Sequence, residues 1–303
     1  MGVIEVRDLR KVYGDKAAVD GVSFEIVEGE VYGLLGHNGA GKSTTIEILE
    51  GHRQRSAGEV SVLGMDPAKG GREFRDRIGI VLQTSGVESE LTVRESIDLY
   101  GSVYRRRRPT GELLDLVGLD AKADARIATL SGGQRRRLDL ALGIVGHPDL
   151  VFLDEPTTGF DPAARRRSWE LIQGLCALGT TVLLTTHYLD EAEHLADRVG
   201  VLTNGRLIAE GTPAELIGGV ASTVVSFTVV GTEADAHDVR QLLPSSTTVS
   251  GTRIEFATDT STEHVHAITG WALERGVELG GLTVARPSLE DVFLGLAGED
   301  DAV

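Results

Sequence analysis

The sequence predicts an α/β fold built on a parallel sheet, followed by a small α+β domain, and three observations lead there. Val31-Tyr-Gly-Leu-Leu35, Leu150-Val-Phe-Leu153 and Thr181-Val-Leu-Leu-Thr185 are short, continuous apolar runs. Such runs, separated by helical segments, mark strands covered on both faces. Helical periodicity fills much of the stretch between the first two. Beyond a Gly/Pro-containing segment at 211–219 the pattern changes to alternating short strands and helices.

Taken in order, the chain opens with Val3, Ile4 and Val6, then Val12 and Tyr13, then Val22, Phe24 and Ile26, all interleaved with polar residues. Punctuation by Gly14, Gly21 and Gly29 suits an antiparallel sheet. The run at 31–35 is a buried strand that ends in a glycine-rich turn, and a helix starts near Lys42. Thr92-Val-Arg-Glu95 has capping-box spacing and opens a helix carrying Ile97 and Tyr100. Leu113, Leu114 and Val117 mark another short helix. After the change in character come a strand at 224–230, a helix at 234–243 and a strand at 252–256, then a helix at 263–275 and a strand at 282–285. The expected division is therefore 1–217 for the first domain and 218–303 for an accessory α+β domain. There is no internal repeat, and the acidic tail at 299–301 is expected to fray.

Composition narrows the function. The 303 residues carry 30 Lys+Arg against 46 Asp+Glu, a net charge of −16, which disfavours general binding to nucleic acid. A hydrophobic fraction of 41% with 25% charged residues excludes wholesale disorder. Cys176 is the only cysteine, so neither an internal disulfide nor a thiolate zinc cluster can form. No apolar run is long enough for a membrane helix, and the charged, alternating start lacks the apolar core of a signal peptide. A cytosolic protein is the expectation. Lysine is confined to five positions; a GC-rich genome and a salt-adapted acidic surface both account for that, and neither identifies a function.

The chemistry starts after the first buried strand. Gly36-His-Asn38-Gly39-Ala40-Gly41-Lys42-Ser43 fits the spacing G-x-x-x-x-G-K-[ST] of a P-loop, with Thr44 following in the helix. Glycines let successive N–H groups face an anion, and the helix N-terminus adds partial positive charge. Lys42 is placed to neutralise the β- and γ-phosphates, and Ser43 to put a hydroxyl on Mg²⁺. Asp154, at the carboxyl end of the second buried strand, stands where a metal-holding aspartate belongs. Glu155 beside it is the candidate base for an attacking water. Leu130-Ser131-Gly132-Gly133-Gln134 is a third element, with S-x-x-Q spacing that starts another helix.

With those residues in place, the chain resembles the ATPase subunit of ATP-binding cassette (ABC) transporters, for which LSGGQ is diagnostic. The resemblance covers residues 3 to about 211. It implies a P-loop NTPase cassette with a parallel core sheet, an antiparallel β subdomain and a helical subdomain, acting as an ATPase with ATP and Mg²⁺. Further roles follow from it alone. Tyr13 matches the aromatic that stacks on adenine. Gln83 matches a glutamine that touches the metal and couples to the membrane subunit. Asp161, in Gly159-Phe160-Asp161-Pro162, matches a loop crossing a dimer interface, although Phe160 stands where leucine is more usual. His187 matches a histidine at the γ-phosphate. The family geometry implies a head-to-tail dimer of two copies, each ATP lying between the P-loop of one and the Ser131 region of the other. It also implies an integral membrane permease on a separate chain, and hence a place on the cytoplasmic face of the membrane.

Pro287-Ser-Leu-Glu-Asp-Val-Phe-Leu294 opens an amphipathic helix, and it looks like the ending of ATPases of two-component drug and antibiotic exporters, the daunorubicin-resistance type. That tilts the expectation towards export of a drug, antibiotic or lipid-like substrate. An importer subunit and a soluble, non-transport cassette ATPase are the alternatives. The runs 105–108 and 135–137 are all arginine and read as solvated loop and helix surface, the first with a second reading as a contact to anionic headgroups or a permease loop.

Overall fold

The computed structural model describes residues 2–81, 86–158, 160–177, 179–218, 223–285, 289–290 and 292. The chain divides into two compact units, 1–213 and 214–303.

In chain order the first unit contains β1 (Ile4–Tyr13), β2 (Lys16–Ile26), β3 (Val31–Leu35), α1 (Lys42–Leu49), β4 (Ala57–Val62), α2 (Arg72–Arg77) and β5 (Ile78–Val81). Then come α3 (Val93–Gly101), α4 (Thr110–Leu116), α5 (Gly132–Ile144), β6 (Leu150–Asp154), α6 (Pro162–Ala177), β7 (Thr181–Thr186), α7 (Leu189–Leu195), β8 (Arg198–Thr203) and β9 (Arg206–Gly211). The three short apolar runs near the start are two long antiparallel strands, because bulges between Val6 and Leu9 and between Lys11 and Val12 interrupt the alternation without ending the pairing. With β4 these strands form a three-stranded antiparallel sheet in the order β2-β1-β4.

The main sheet has six strands in the order β5-β6-β7-β3-β8-β9. Pairing is parallel from β5 through β8, and β9 closes the edge antiparallel to β8. All five residues of β3 and all six of β7 are buried, as expected for central strands covered on both faces. β5, β8 and β9 were not distinguished by apolar run length, since each is short or mixes in polar residues. Tyr32, fully buried in β3, stacks on Phe24 at 5.3 Å and donates its hydroxyl to Glu210 at 3.1 Å. Gly200 on the neighbouring strand makes room for it, because a Cβ there would lie 2.3 Å from the Tyr32 hydroxyl. This core joins the two sheets through Ile4, Leu9, Phe24, Leu34, Ile46, Leu49 and Phe152.

The regular elements described between β5 and β6 are helices. Thr92 caps α3 with a complete capping box to Glu95. α4 ends at Leu116, one residue before Val117, which caps it. α5 packs against β5, and α7 against β3.

The second unit comprises most of α8 (Pro213–Gly218), then β10 (Thr223–Val230), α9 (Glu233–Arg240), β11 (Thr248–Ser250), β12 (Arg253–Thr258), α10 (Ser261–Arg275) and β13 (Glu278–Ala285). Its antiparallel sheet runs β11-β12-β10-β13. Inward residues Val225, Phe227, Val229, Ile254 and Phe256 pack against Ala236, Val239, Ile268 and Trp271 of the helices, which is the α+β arrangement expected. β11 was missed because three residues carry too little pattern. Most of the amphipathic helix read at 288–296 lies outside the described residues; Leu289, Glu290 and Val292 are helical, with Leu289 and Val292 buried.

Candidate functional site

Strands β6, β7 and β3 are neighbours and parallel, so the segments leaving their carboxyl ends meet on one side of the sheet. A cleft of about 700 Å³ opens there, lined by Tyr13, Lys16, Ala18, Asn38, Gly39, Gly41, Lys42, Ser43, Thr44, Asp154, Glu155 and His187. Lys16 and Ala18 come from the start of β2 and were not foreseen, since nothing in a hairpin's alternation says which end faces a distant loop.

The phosphate turn is built by backbone. Gly41, at φ 108°, is the N-cap of α1 and makes no side-chain cap, so the first-turn N–H groups of the helix remain available to an anion. A Cβ at Gly41 would also meet the Ala18 carbonyl at 2.4 Å, so only glycine fits. Lys42 is buried and donates from Nζ to the carbonyls of Gly36 (2.6 Å) and His37 (3.1 Å). Burial lowers its pKa, while Glu155 and Asp154 oppose that shift. Gly36 and Ala40 belong to the same turn, Ala40 fully buried with its N–H on the His37 carbonyl at 3.2 Å.

Asp154 ends β6 opposite Thr185 of β7, whose hydroxyl donates to Asp154 Oδ1 at 2.5 Å and so fixes the carboxylate's orientation. Glu155 stands in the left-handed region at φ 47°. Its N–H donates to the Thr185 carbonyl at 3.0 Å, and its Oε2 accepts from the Thr158 hydroxyl at 3.1 Å. Its Oε1 lies 3.0 Å from His187 Nδ1. The His187 ring in turn packs on Tyr188 at 4.1 Å, with the Arg165 guanidinium 4.3 Å from the Tyr188 ring. Tyr13 is exposed, its ring flanked by Lys11 at 5.0 Å and Arg53 at 5.3 Å. Gln83 lies outside the described residues.

A hydroxyl from Ser43 and a carboxylate from Asp154 line one cleft beside the phosphate turn, and hard oxygen donors of this kind suit Mg²⁺, which takes its remaining ligands from phosphate and water. Among the described residues no group of three or more His, Cys, Asp or Glu could hold a metal without such help.

Ser131, Gly132, Gly133, Gln134 and Asp161 are not in this cleft. They line a second hollow of about 470 Å³, together with Arg137, Phe160, Ala164, Arg167 and Ser168. Ser131 and Gln134 form a complete capping box at the start of α5. Asp161 caps α6, its Oδ1 accepting from the Ala164 N–H at 2.8 Å. Of the arginines after Gln134, Arg135 is exposed, as its charge suggested, while Arg136 and Arg137 are half-buried. Arg135 donates to the Ile127 carbonyl, Arg137 to those of Val117 and Gly118, and Arg136 to those of Asp154, Glu155 and Pro156. Arg108 of the earlier run is buried as well, pairing with Glu112 at 2.9 Å. Arg105, Arg106 and Arg107 are exposed, as read.

Glu191 is a further residue the sequence did not single out. It is fully buried at the foot of α7, accepts from the Thr157 hydroxyl (2.8 Å) and the Trp169 indole N–H (3.1 Å), and burial pushes its pKa up.

Comparison with known proteins identifies the family and the fold. Residues 19–158 match the family model described as ABC transporter, and residues 226–288 match a C-terminal domain of ABC transporter domain-containing proteins. The chain is 40% identical over 304 residues to a Nod factor export ATP-binding protein I of Paraburkholderia xenovorans, covering 98% of this chain and 97% of that protein. It is 39% identical to a daunorubicin/doxorubicin resistance ATP-binding protein of Streptomyces peucetius, covering 97% and 92% respectively. Among solved structures, an ATP-binding subunit of an ABC transporter superposes with a TM-score of 0.64 at 31% identity, covering 72% of this chain and 93% of that one. A dimeric cassette bound to ADP and Pi superposes at 0.62 with 25% identity, covering 69% and 98%.

Proposed function

This chain belongs to the ABC transporter family and carries its ATP-hydrolysing cassette, and we propose that it powers export of a drug, antibiotic or lipid-like compound through a permease on a separate chain. Two groups of relatives that match nearly end to end are named for Nod factor export and for daunorubicin resistance, and both names point outward. That disfavours the importer and non-transport alternatives. Among the described residues no helix is long and apolar enough to cross a membrane, in keeping with a pathway in another chain and a place on the cytoplasmic face. In this reading residues 1–217 form the ATP-binding domain and 218–303 an accessory domain.

The observation that carries the mechanism is the gathering of the P-loop, Asp154, Glu155 and His187 around one cleft. ATP enters with its adenine on Tyr13. The N–H groups of Gly39, Gly41, Lys42, Ser43 and Thr44, with the Lys42 ammonium, hold the phosphates. Ser43, Asp154 and Gln83 would hold Mg²⁺, which would neutralise charge on the phosphate oxygens. Glu155 takes a proton from water as its oxygen bonds to the γ-phosphorus, the bond to the β-phosphate bridging oxygen breaks, and ADP and phosphate leave. His187 orients Glu155 and faces the transferred group. Catalysis is mostly positioning and charge stabilisation.

The Ser131 region and Asp161 surround a different hollow, so one chain does not enclose its own nucleotide. A second copy, head to tail, brings its Ser131 helix over the first copy's cleft, as the solved dimeric cassettes lead one to expect. ATP then joins the dimer and hydrolysis releases it, a binding-driven mechanical cycle. Gentle solubilisation of membranes with this chain as bait tests the transport reading: an integral membrane protein copurifying in fixed ratio supports it, and its absence defeats it.

A further inference from the structure

We propose that Arg136 is a positioning residue for hydrolysis, holding the strained turn that aims Glu155 into the cleft and tying that turn to the Ser131 helix. This rests on Glu155 being the base. From α5 the Arg136 guanidinium reaches three consecutive carbonyls, with Nη2 on Asp154 at 3.0 Å and on Glu155 at 3.2 Å, and Nε on Pro156 at 3.1 Å.

Three successive carbonyls converge on one cation only where the chain turns sharply, and Glu155 supplies that turn at φ 47°. For a residue with a Cβ the conformation costs on the order of 1–3 kcal/mol and persists only when the surroundings enforce it. Here they enforce it from two sides. Arg136 takes the carbonyls, and Thr185 takes the Glu155 N–H at 3.0 Å. The side chain points away from this turn, to His187 and Thr158. A guanidinium suits this place because its fork of donors is rigid and it keeps its charge. Burial lowers the Arg136 pKa, and Asp139, Asp154 and Glu191 act against that shift.

The helix that carries Arg136 begins five positions earlier with the Ser131 capping box. Within a helix, residues one turn apart move together. Whatever seats on Ser131, Gly132 and Gly133 therefore also sets the Arg136 fork and, through it, the turn at Glu155. In a head-to-tail dimer, ATP in one cleft would bear on the base of the other.

The test uses the full chain with Mg²⁺ and ATP, comparing Arg136→Gln, Arg136→Lys, Glu155→Gln and the double variant Arg136→Gln/Glu155→Gln. Phosphate release gives kcat and KM, nucleotide titration gives ATP affinity, and a thermal melt reports folding. Arg136→Gln is expected to lower kcat on the order of 10²-fold, the usual loss for a misplaced catalytic group, while ATP affinity holds because the P-loop is untouched. Arg136→Lys should recover part of kcat, an ammonium reaching fewer of the three carbonyls. In the Glu155→Gln background Arg136→Gln should cost nothing further, since two residues acting as a unit are not additive. Wild-type kcat in Arg136→Gln, or the same fold loss in both backgrounds, overturns the proposal. If Arg136→Gln yields no folded protein, Arg136→Lys is read the same way: reduced kcat at unchanged ATP affinity supports the proposal and unchanged kcat overturns it. Wild-type turnover in Glu155→Gln defeats the base assignment itself, and the proposal with it. An inactive Glu155→Gln beside a fully active Arg136→Gln removes only the role of Arg136.

Discussion

His187 Nδ1 stands 3.0 Å from Glu155 Oε1, joining the loop after β7 to the turn after β6 across the lining of the phosphate cleft. The two residues are 32 positions apart, and the parallel pairing of β6 with β7 brings them together. With an ionised Glu155 the histidine donates from Nδ1, which leaves Nε2 to face a ligand. A carboxylate held in this way, with a second bond from Thr158, keeps one orientation and offers a fixed proton acceptor.

Replacing that acceptor separates binding from chemistry. Glu155→Gln keeps the shape and loses the base, so ATP should still bind while turnover falls by roughly 10²–10⁴-fold, the usual contribution of a general base. An ATP-bound dimer should accumulate, visible by size-exclusion chromatography with light scattering. Wild-type phosphate release would refute the assignment.

Lys42→Met removes the only side-chain cation on the phosphate turn. A charged hydrogen bond is worth about 1.5–3 kcal/mol, so ATP affinity should fall roughly 10- to 100-fold by equilibrium titration. Thermal stability should change little. The lost bonds to the Gly36 and His37 carbonyls are offset by relief of a buried charge whose pKa is already lowered.

Mixing two inactive variants tests the head-to-tail dimer. Lys42→Met ruins a copy's cleft, and Ser131→Arg ruins the hollow it offers to its partner. In a mixed dimer one site combines both defects and the other has neither. Equal mixing should restore roughly a quarter of wild-type phosphate release if partners exchange randomly. No restoration would place each complete site within one chain.

Glu50, buried at the end of α1 with His52 Nδ1 at 3.2 Å, has its carboxyl pushed up to about 8 by burial, with Asp154 and Glu47 adding repulsion. Unfolded, it titrates near its ordinary 4.5. Between those values the folded chain holds a proton that the unfolded chain has released. Stability therefore falls as pH rises through this window, by up to about 1.4 kcal/mol per pH unit, and levels off above it. Melting curves across the window should show that slope in the wild type and a shallower one in Glu50→Gln. Equal slopes would show that Glu50 does not set it.

Local signals were legible because they encode local geometry. The turn 36–43, the capping boxes at Thr92 and Ser131, and the apolar runs of β3, β6 and β7 each specify the backbone of a few adjacent residues. The arginines at 135–137 show the limit. Charge implied solvent, which holds for Arg135, yet Arg136 and Arg137 are half-buried and donate to carbonyls of other segments, because whether an arginine is solvated depends on what packs over it. Glu191 was silent for the same reason, its partners Thr157 and Trp169 lying on other elements.

By itself, then, the sequence determined a P-loop α/β cassette of the ABC family with a small α+β appendage, since motif spacing and apolar periodicity survive any rearrangement of elements. Tertiary structure alone decided the strand order β6-β7-β3, which draws Asp154, Glu155 and His187 to Lys42, while the family resemblance already set the Ser131 region apart from the P-loop of its own chain. Strand order is a matter of which buried faces pack together, and neighbours in a sheet need not be neighbours in the chain.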